Sequence, residues 1–217
     1  MICGVDEAGK GPVVGPLVVA AVAVNNAKDI ANLGIKDSKQ LTKRKRKELA
    51  NLIKEKFNFA VEIIEPKIVD EYRRRNKLNE LNREAFERLI SKLDPNVAYV
   101  DAADVNENRF GSQIKASLTN KKDTDVISMH KADAKIEVVA AASIIAKETR
   151  ENEIEKLKDK IGDFGSGYPS DERTIKFLKS FYSANNKWPA GTRKSWKTLE
   201  RIRPVKTLND FGINNDK

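Results

Sequence analysis

Apolar positions along this chain fall into two rhythms, and the switching between them predicts its elements. Apolar runs at residues 1–6 and 13–24 predict two strands, joined by a turn at 9–12 where Gly9, Gly11 and Pro12 break the pattern. The second run is interrupted only by Gly15 and Pro16. Shorter segments at 58–64, 97–100 and 125–129 predict further strands. Between them the spacing becomes helical. Residues 43–57 place Leu49, Ile53 and Phe57 on one face, with Thr42 as the cap. Pro66 opens a short helix at its first position. Asn79 is placed to cap a helix carrying Leu81, Ala85, Leu89 and Leu93, which residues 94–96 end. Phe110, Ile114 and Leu118 predict another. A long helix is expected from Lys135 to Ile161, apolar nearly all round at 138–146 and charged beyond, so its first half should be buried. After a glycine-rich loop at 162–169, Ser170 is expected to cap a helix with Ile175, Leu178 and Tyr182. A last piece carries Trp188, Trp196, Leu199 and Ile202 and stops at Pro204. Strands followed by helices, with a helical C-terminal portion, predict an α/β layer fold.

Charge adds a candidate partner. Lys and Arg number 41 against 32 Asp and Glu, a formal net charge of +9. Such an excess suits a polyanion, most simply nucleic acid, and equally a Lys-rich solvated surface. The basic run at 43–47 opens a helix against its own dipole, which suits either an anionic ligand or solvation. One cysteine, Cys3, excludes an internal disulfide and cysteine-rich zinc motifs, and one histidine, His130, excludes paired-histidine sites. A bound metal would therefore be held mainly by oxygen, which favours Mg²⁺ or Mn²⁺. No secretory signal is evident and no apolar run reaches membrane-spanning length, so a cytoplasmic location and no membrane contact are expected.

The chemistry lies where strands end. Val5 is followed by Asp6 and Glu7, Val100 by Asp101, and the 125–129 strand by Asp133 at the entry to the buried helix. If these strands are neighbours, the carboxylates converge at one edge of the sheet. Carboxylates packed together raise one another's pKa and need cations. Two divalent ions would neutralise them and clamp the attacking and leaving oxygens of a phosphoryl displacement. Each aspartate taken singly is equally well a turn or cap residue. The residues argue against a phosphate-binding loop although Gly4, Gly9 and Lys10 have its spacing: Gly11 stands where Ser or Thr is required, and Asp6 and Glu7 would repel the phosphates. No serine elbow accompanies the single His130, which argues against a Ser-His-Asp hydrolase.

These residues form a pattern. Residues 6–12 (Asp-Glu-Ala-Gly-Lys-Gly-Pro) with Gly15-Pro16 closely resemble the opening motif of the ribonuclease HII family. The resemblance continues through Asp37-Ser38-Lys39-Gln40-Leu41, Val100-Asp101-Ala102, His130-Lys131-Ala132-Asp133, residues 140–147 and residues 165–169, in family order over about 1–203. Length and C-terminal style resemble the archaeal branch. The resemblance implies a ribonuclease H-like fold, a five-stranded mixed sheet flanked by helices. It implies a catalytic domain at 1–160, a helical extension at 161–204 and a mobile tail at 205–217. It implies a metal-dependent endoribonuclease that cleaves the RNA strand of RNA–DNA hybrids and cuts 5′ of ribonucleotides embedded in duplex DNA, leaving 5′-phosphate and 3′-hydroxyl ends. Two divalent cations per site, Mg²⁺ or Mn²⁺, would be held by Asp6, Glu7, Asp101 and Asp133. Gly9, Lys10 and Gly11 match the loop that reads the ribose 2′-hydroxyl through its backbone, and Tyr168 matches the tyrosine at the RNA-to-DNA junction. The family usually has Arg where this chain has Lys10, which keeps the charge but loses the bidentate fork. A non-catalytic hybrid-binding protein is the alternative, and four intact carboxylates facing phosphate argue against it.

Four further positions are less specific. Lys39 and Lys147 are candidates for phosphate contact or simple solvation. Ser143, a candidate substrate contact, would otherwise bond back to its own helix. His130 is either structural or placed for a role near the second metal or in product release. A monomer is expected. The tail residues Leu208 and Phe211 loosely resemble a peptide that binds a sliding clamp, without its glutamine and second aromatic; a frayed end is the plainer reading.

Overall fold

A computed structural model of the protein describes residues 1–31, 33–35, 41–118 and 124–204. Five strands form one sheet in the order β3-β2-β1-β4-β5: β1 (Ile2–Ala8), β2 (Leu17–Val24), β3 (Asn58–Ile64), β4 (Val97–Asp101) and β5 (Asp125–Met129). β2 runs antiparallel to both β1 and β3, whereas β1, β4 and β5 run parallel, so the sheet is mixed. Each parallel step requires a crossover, and helices supply it. Between β1 and β4 the chain passes through α1 (Ala27–Ala31), α2 (Lys43–Lys56), α3 (Pro66–Arg74) and α4 (Leu78–Leu93); between β4 and β5 lies α5 (Glu107–Ser117). Two helices follow β5, α6 (Ala132–Lys135) and α7 (Glu137–Ile161), and then α8 (Glu172–Asn185) and α9 (Lys197–Ile202).

β2 is buried on both faces, and its residues divide by the two-residue period of a strand. Val18, Ala20, Val22 and Val24 face the cluster containing α7 and α2; Leu17, Val19, Ala21 and Ala23 face the cluster containing α4 and α5. The close fit of α7 to the sheet depends on Gly4. A methyl there would stand 2.3 Å from the Val138 carbonyl, so no side chain fits between β1 and the start of α7. The Val138–Ala146 stretch is buried, as its all-round apolar pattern predicts.

The segment after α7 shares the α4-side core through Phe164, Leu178, Trp196, Leu199 and Ile202. It also grips the 13–16 turn by its backbone. Val13 N and Val14 N donate to Gly167 O at 2.8 and 3.2 Å, Gly15 N to Gly191 O at 2.9 Å, and Arg193 N to Val13 O at 2.8 Å.

Several expected boundaries differ, each for a local reason. The second strand begins at Leu17 and not 13, because Val13 and Val14 spend their amides on Gly167. α4 is capped at Lys77, and Asn79 sits inside its first turn. Asp171, and not Ser170, caps α8, its carboxylate accepting from Arg173 N at 3.0 Å. The long helix is broken at extended Ile136, so Asp133 belongs to the separate short α6. Among the described residues no helix is long and apolar enough to cross a membrane. Lys39 and the tail at 205–217 lie outside the described residues.

Candidate active site

Parallel pairing carries the carboxylates together. Val5 is opposite Val100, so Asp6 and Glu7 leave that pairing beside Asp101, and Asp101 is opposite Met129 on β5. Asp133 enters from α6, one short turn beyond β5. Asp101 fixes that turn by accepting Ala132 N at 2.8 Å. Asp6 accepts Glu7 N at 2.7 Å.

The electrostatics are those of crowded anions. Burial, then Glu7, pushes the Asp6 carboxyl well above the usual range, with Asp101 adding to the rise and Ser143 opposing it. Burial raises Glu7 to about 7; Lys10 opposes the rise, and Asp101 and Asp133 add to it. Asn82 Nδ2 reaches Glu7 Oε1 at 3.4 Å, while Glu7 Oε2 is buried without a hydrogen-bond partner. The Ser143 hydroxyl, fully buried and beside Asp6, also has no partner of good geometry, so it does not bond back to its helix. Among the described residues no three acidic, His or Cys side chains already form a closed metal cage. Two of the carboxylates are instead turned to protein donors, Asp101 to Ala132 and Glu7 to Asn82. An all-oxygen donor set of mutually repelling carboxylates, with one orphaned carboxylate oxygen, fits a hard divalent cation.

Beside the carboxylates, residues 9–11 form a loop whose carbonyls are pinned from behind. Arg193 is fully buried and donates to Gly9 O at 2.6 Å, Lys10 O at 3.0 Å and Gly15 O at 2.9 Å. Trp196 Nε1 donates to Gly11 O at 3.0 Å. Burial, then repulsion from Arg150, pushes Arg193 down to about 9, which leaves it charged at neutral pH. Asp70, itself buried, holds the turn that carries Arg193 by accepting Lys194 N at 2.7 Å, Ser195 N at 2.8 Å and Ser195 Oγ at 2.5 Å. The two glycines have different duties. Gly9 has φ +89° and a methyl there would meet Arg150 Nε at 2.5 Å, so the protein itself requires glycine. At Gly11 the nearest atom to such a methyl is a Tyr168 ring carbon, 3.8 Å away, so that face of the loop is open to a ligand.

Lys10 does not project freely. Its ammonium donates to Ala103 O at 2.7 Å and Asn79 Oδ1 at 3.0 Å, tying the loop to the exit of β4 and the start of α4. Tyr168, 37% exposed, stands across the cleft with the Arg150 guanidinium 5.2 Å from its ring centre. Arg46, Lys147 and Arg150 line the same cleft of about 480 Å³. Arg46 is the one member of the 43–47 basic run that lines it; Lys43 and Arg44 are paired with Glu151 and Glu48. His130 is half exposed and tethered to the start of α5, Nε2 3.1 Å from Val105 O and its backbone N donating to Glu107.

Residues 3–199 match the family model for ribonuclease HII. The chain belongs to the ribonuclease HII family. Among its relatives, the ribonuclease HII of Pyrococcus horikoshii is 47% identical over 93% of this chain and 92% of its own. That of Archaeoglobus fulgidus is 45% identical over 97% of this chain and 100% of its own. The crystal structure of ribonuclease H2 from Pyrococcus horikoshii OT3 superposes with a TM-score of 0.86 at 44% identity, covering 98% of this chain and 99% of that one. The ribonuclease HII in a complex with PCNA from Archaeoglobus fulgidus gives 0.87 at 44% identity, covering 97% and 100%. A ribonuclease HIII at 24% identity, with a TM-score of 0.80, shares the fold. As a ribonuclease HII, the protein has the ribonuclease H fold and is an endoribonuclease that hydrolyses phosphodiester bonds in RNA–DNA hybrids.

Proposed function

We propose that Asp6, Glu7, Asp101 and Asp133 hold two divalent cations, Mg²⁺ or Mn²⁺, and that the enzyme also cuts 5′ of a ribonucleotide embedded in duplex DNA. The supporting observation is the juxtaposition of the orphaned Glu7 oxygen with the open face of Gly11 in one cleft. When bound, the cations supply an activated water and neutralise charge at the phosphorus; the products carry 5′-phosphate and 3′-hydroxyl ends. The protein's own residues do the selecting. Arg193 and Trp196 hold the loop carbonyls inward, so the loop's amides are presented to a ribose 2′-hydroxyl, the group that separates RNA from DNA. Tyr168 packs on the sugar at the junction. Lys147, Arg150 and Arg46 balance the phosphates, and the Ser143 hydroxyl beside Asp6 steadies the carboxylate end of the cleft. On this reading residues 1–160 are the catalytic domain and 161–204 an extension that supplies Tyr168 and Arg193. Cleavage of a labelled hybrid with Mg²⁺, Mn²⁺ or chelator tests it: cleavage is expected with either metal, and full activity in chelator would refute it.

Tyr168 and Gly11 should fail differently. Tyr168→Ala is expected to lower activity on a single embedded ribonucleotide by about one to two powers of ten, the worth of one stacking contact, and to lower activity on a long hybrid less. Gly11→Ala, whose methyl meets no protein atom closer than 3.8 Å, should fold normally and damage both substrates. The ratio of the two activities in each variant is the measurement; equal losses in Tyr168→Ala would remove its junction role.

The PCNA complex of the Archaeoglobus relative supports a clamp contact here as well. We assign it to Leu208 and Phe211 in the tail. Calorimetry of a 204–217 peptide against the matching clamp checks this, and absence of saturable heat would retire it.

A further inference from the structure

A second cavity lies apart from the carboxylate cleft. It is an open trough of about 700 Å³ between the end of α3, the start of α4 and the start of α9. Arg73, Arg74, Lys194 and Lys197 wall it, with Glu200 as its one acid. Several exposed basic side chains elsewhere are neutralised at short range: Arg88 by Glu62, Arg109 by Asp104, Lys115 by Asp125 and Lys156 by Glu153. In the trough they are not. Arg74, Lys194 and Lys197 make no ion pair among the described residues, and all three are exposed. Four cations converging on one trough against the single acid Glu200 repel one another, and a polyanionic ligand relieves that cost.

The trough is also built into the site. Its floor includes Asn79, which accepts from Lys10 Nζ, and Ser195, whose carbonyl accepts from Arg73 Nε at 3.3 Å. Arg73 lies 4.3 Å from the ring centre of Trp196, the residue that holds Gly11 O. The trough thus adjoins the residues that hold the reading loop, within reach of a duplex seated in the cleft. Separated point charges along an open trough suit a phosphodiester backbone.

We propose that the trough walled by Arg73, Arg74, Lys194 and Lys197 is a phosphate-backbone site that holds the duplex outside the cleavage position. This rests on the reading of the cleft as the hybrid-cleaving site and extends its footprint. The test is equilibrium binding to an RNA–DNA hybrid in chelator across a salt series, so that no cleavage is read. Arg74→Ala/Lys197→Ala is expected to weaken binding about tenfold near physiological salt and to flatten the plot of log affinity against log salt by about 1–2. Lys115→Ala/Lys156→Ala removes the same charge from ion-paired positions and should keep the original slope. Trimming the duplex on one flank should bring the unaltered protein down to the double variant, which is itself insensitive to that trimming. An unchanged slope in Arg74→Ala/Lys197→Ala, an equal loss in the ion-paired control, or indifference to trimming either flank would overturn the trough. Failure of the unaltered protein to bind hybrid at all would instead overturn the reading of the cleft.

Discussion

Asp101→Asn is expected to lower hybrid cleavage by about three powers of ten or more, equivalent to about 4 kcal/mol of transition-state stabilisation. Hybrid affinity should stay the same or tighten, because one negative charge facing the phosphates is gone. The fold should survive: the carboxamide oxygen can still accept Ala132 N, which Asp101 now holds at 2.8 Å. Single-turnover cleavage, with binding measured in chelator, separates the two effects. Asp104 is the matched control. It lies three residues on, yet its carboxylate is spent on Arg109 at 2.6 and 2.8 Å and on Asn106 N at 3.1 Å. The Asn106 amide foremost, with Arg109 beside it, holds its pKa below the ordinary value. Asp104→Asn should therefore retain the cleavage rate. An active Asp101→Asn would remove Asp101 from the metal-binding set.

Arg193→Gln should have the second largest effect. The substitution removes hydrogen bonds to three backbone carbonyls in a fully buried place, and glutamine cannot span Gly9, Lys10 and Gly15 together. An unsatisfied buried carbonyl costs about 1–3 kcal/mol, so with one bond kept by glutamine and two lost, a total of about 2–6 kcal/mol is divided between lost stability and a loosened loop. Thermal unfolding reads the first part. The second part should appear as a loss of discrimination between ribonucleotide-containing and all-DNA duplexes, a change that mere destabilisation does not produce. Arg193→Lys, which keeps a donor and the charge, should recover part of the stability and little of the discrimination.

Legibility in the sequence followed the range of the interactions. The strands and most helices were readable because burial on a sheet or helix face leaves a periodic trace in neighbouring residues. The carboxylate set was readable because Asp6, Glu7 and Asp101 follow apolar runs where charge is costly. The parallel order of β1, β4 and β5 then carried them to one edge. Caps were misplaced where a tertiary partner competed. Asn79 gives its side chain to Lys10 and not to its own helix, and Asp171 outcompetes Ser170 by also accepting Ser166 N at 2.7 Å. The break at Ile136 left no mark, since isoleucine breaks no helix by itself. Arg193 and Asp70 were invisible for a stronger reason. Arg193 binds backbone oxygens 178 to 184 positions away, and Asp70 binds the turn at 194–195. Contacts to backbone carry no residue-type signature on the partner. Lys10 also braces the loop through Ala103 and Asn79, which no motif spacing reveals.

The central claim is that a carboxylate metal site and a backbone loop together choose one phosphodiester bond, the one 5′ of a ribose. The most direct measurement is cleavage of an end-labelled DNA duplex carrying a single ribonucleotide, with product ends mapped at nucleotide resolution. The expected result is one cut, on the 5′ side of the ribonucleotide, with a 3′-hydroxyl on the upstream fragment, no product in chelator and none from the all-DNA duplex. Cleavage of the all-DNA duplex, a cut elsewhere, or an undiminished cut in chelator would contradict it.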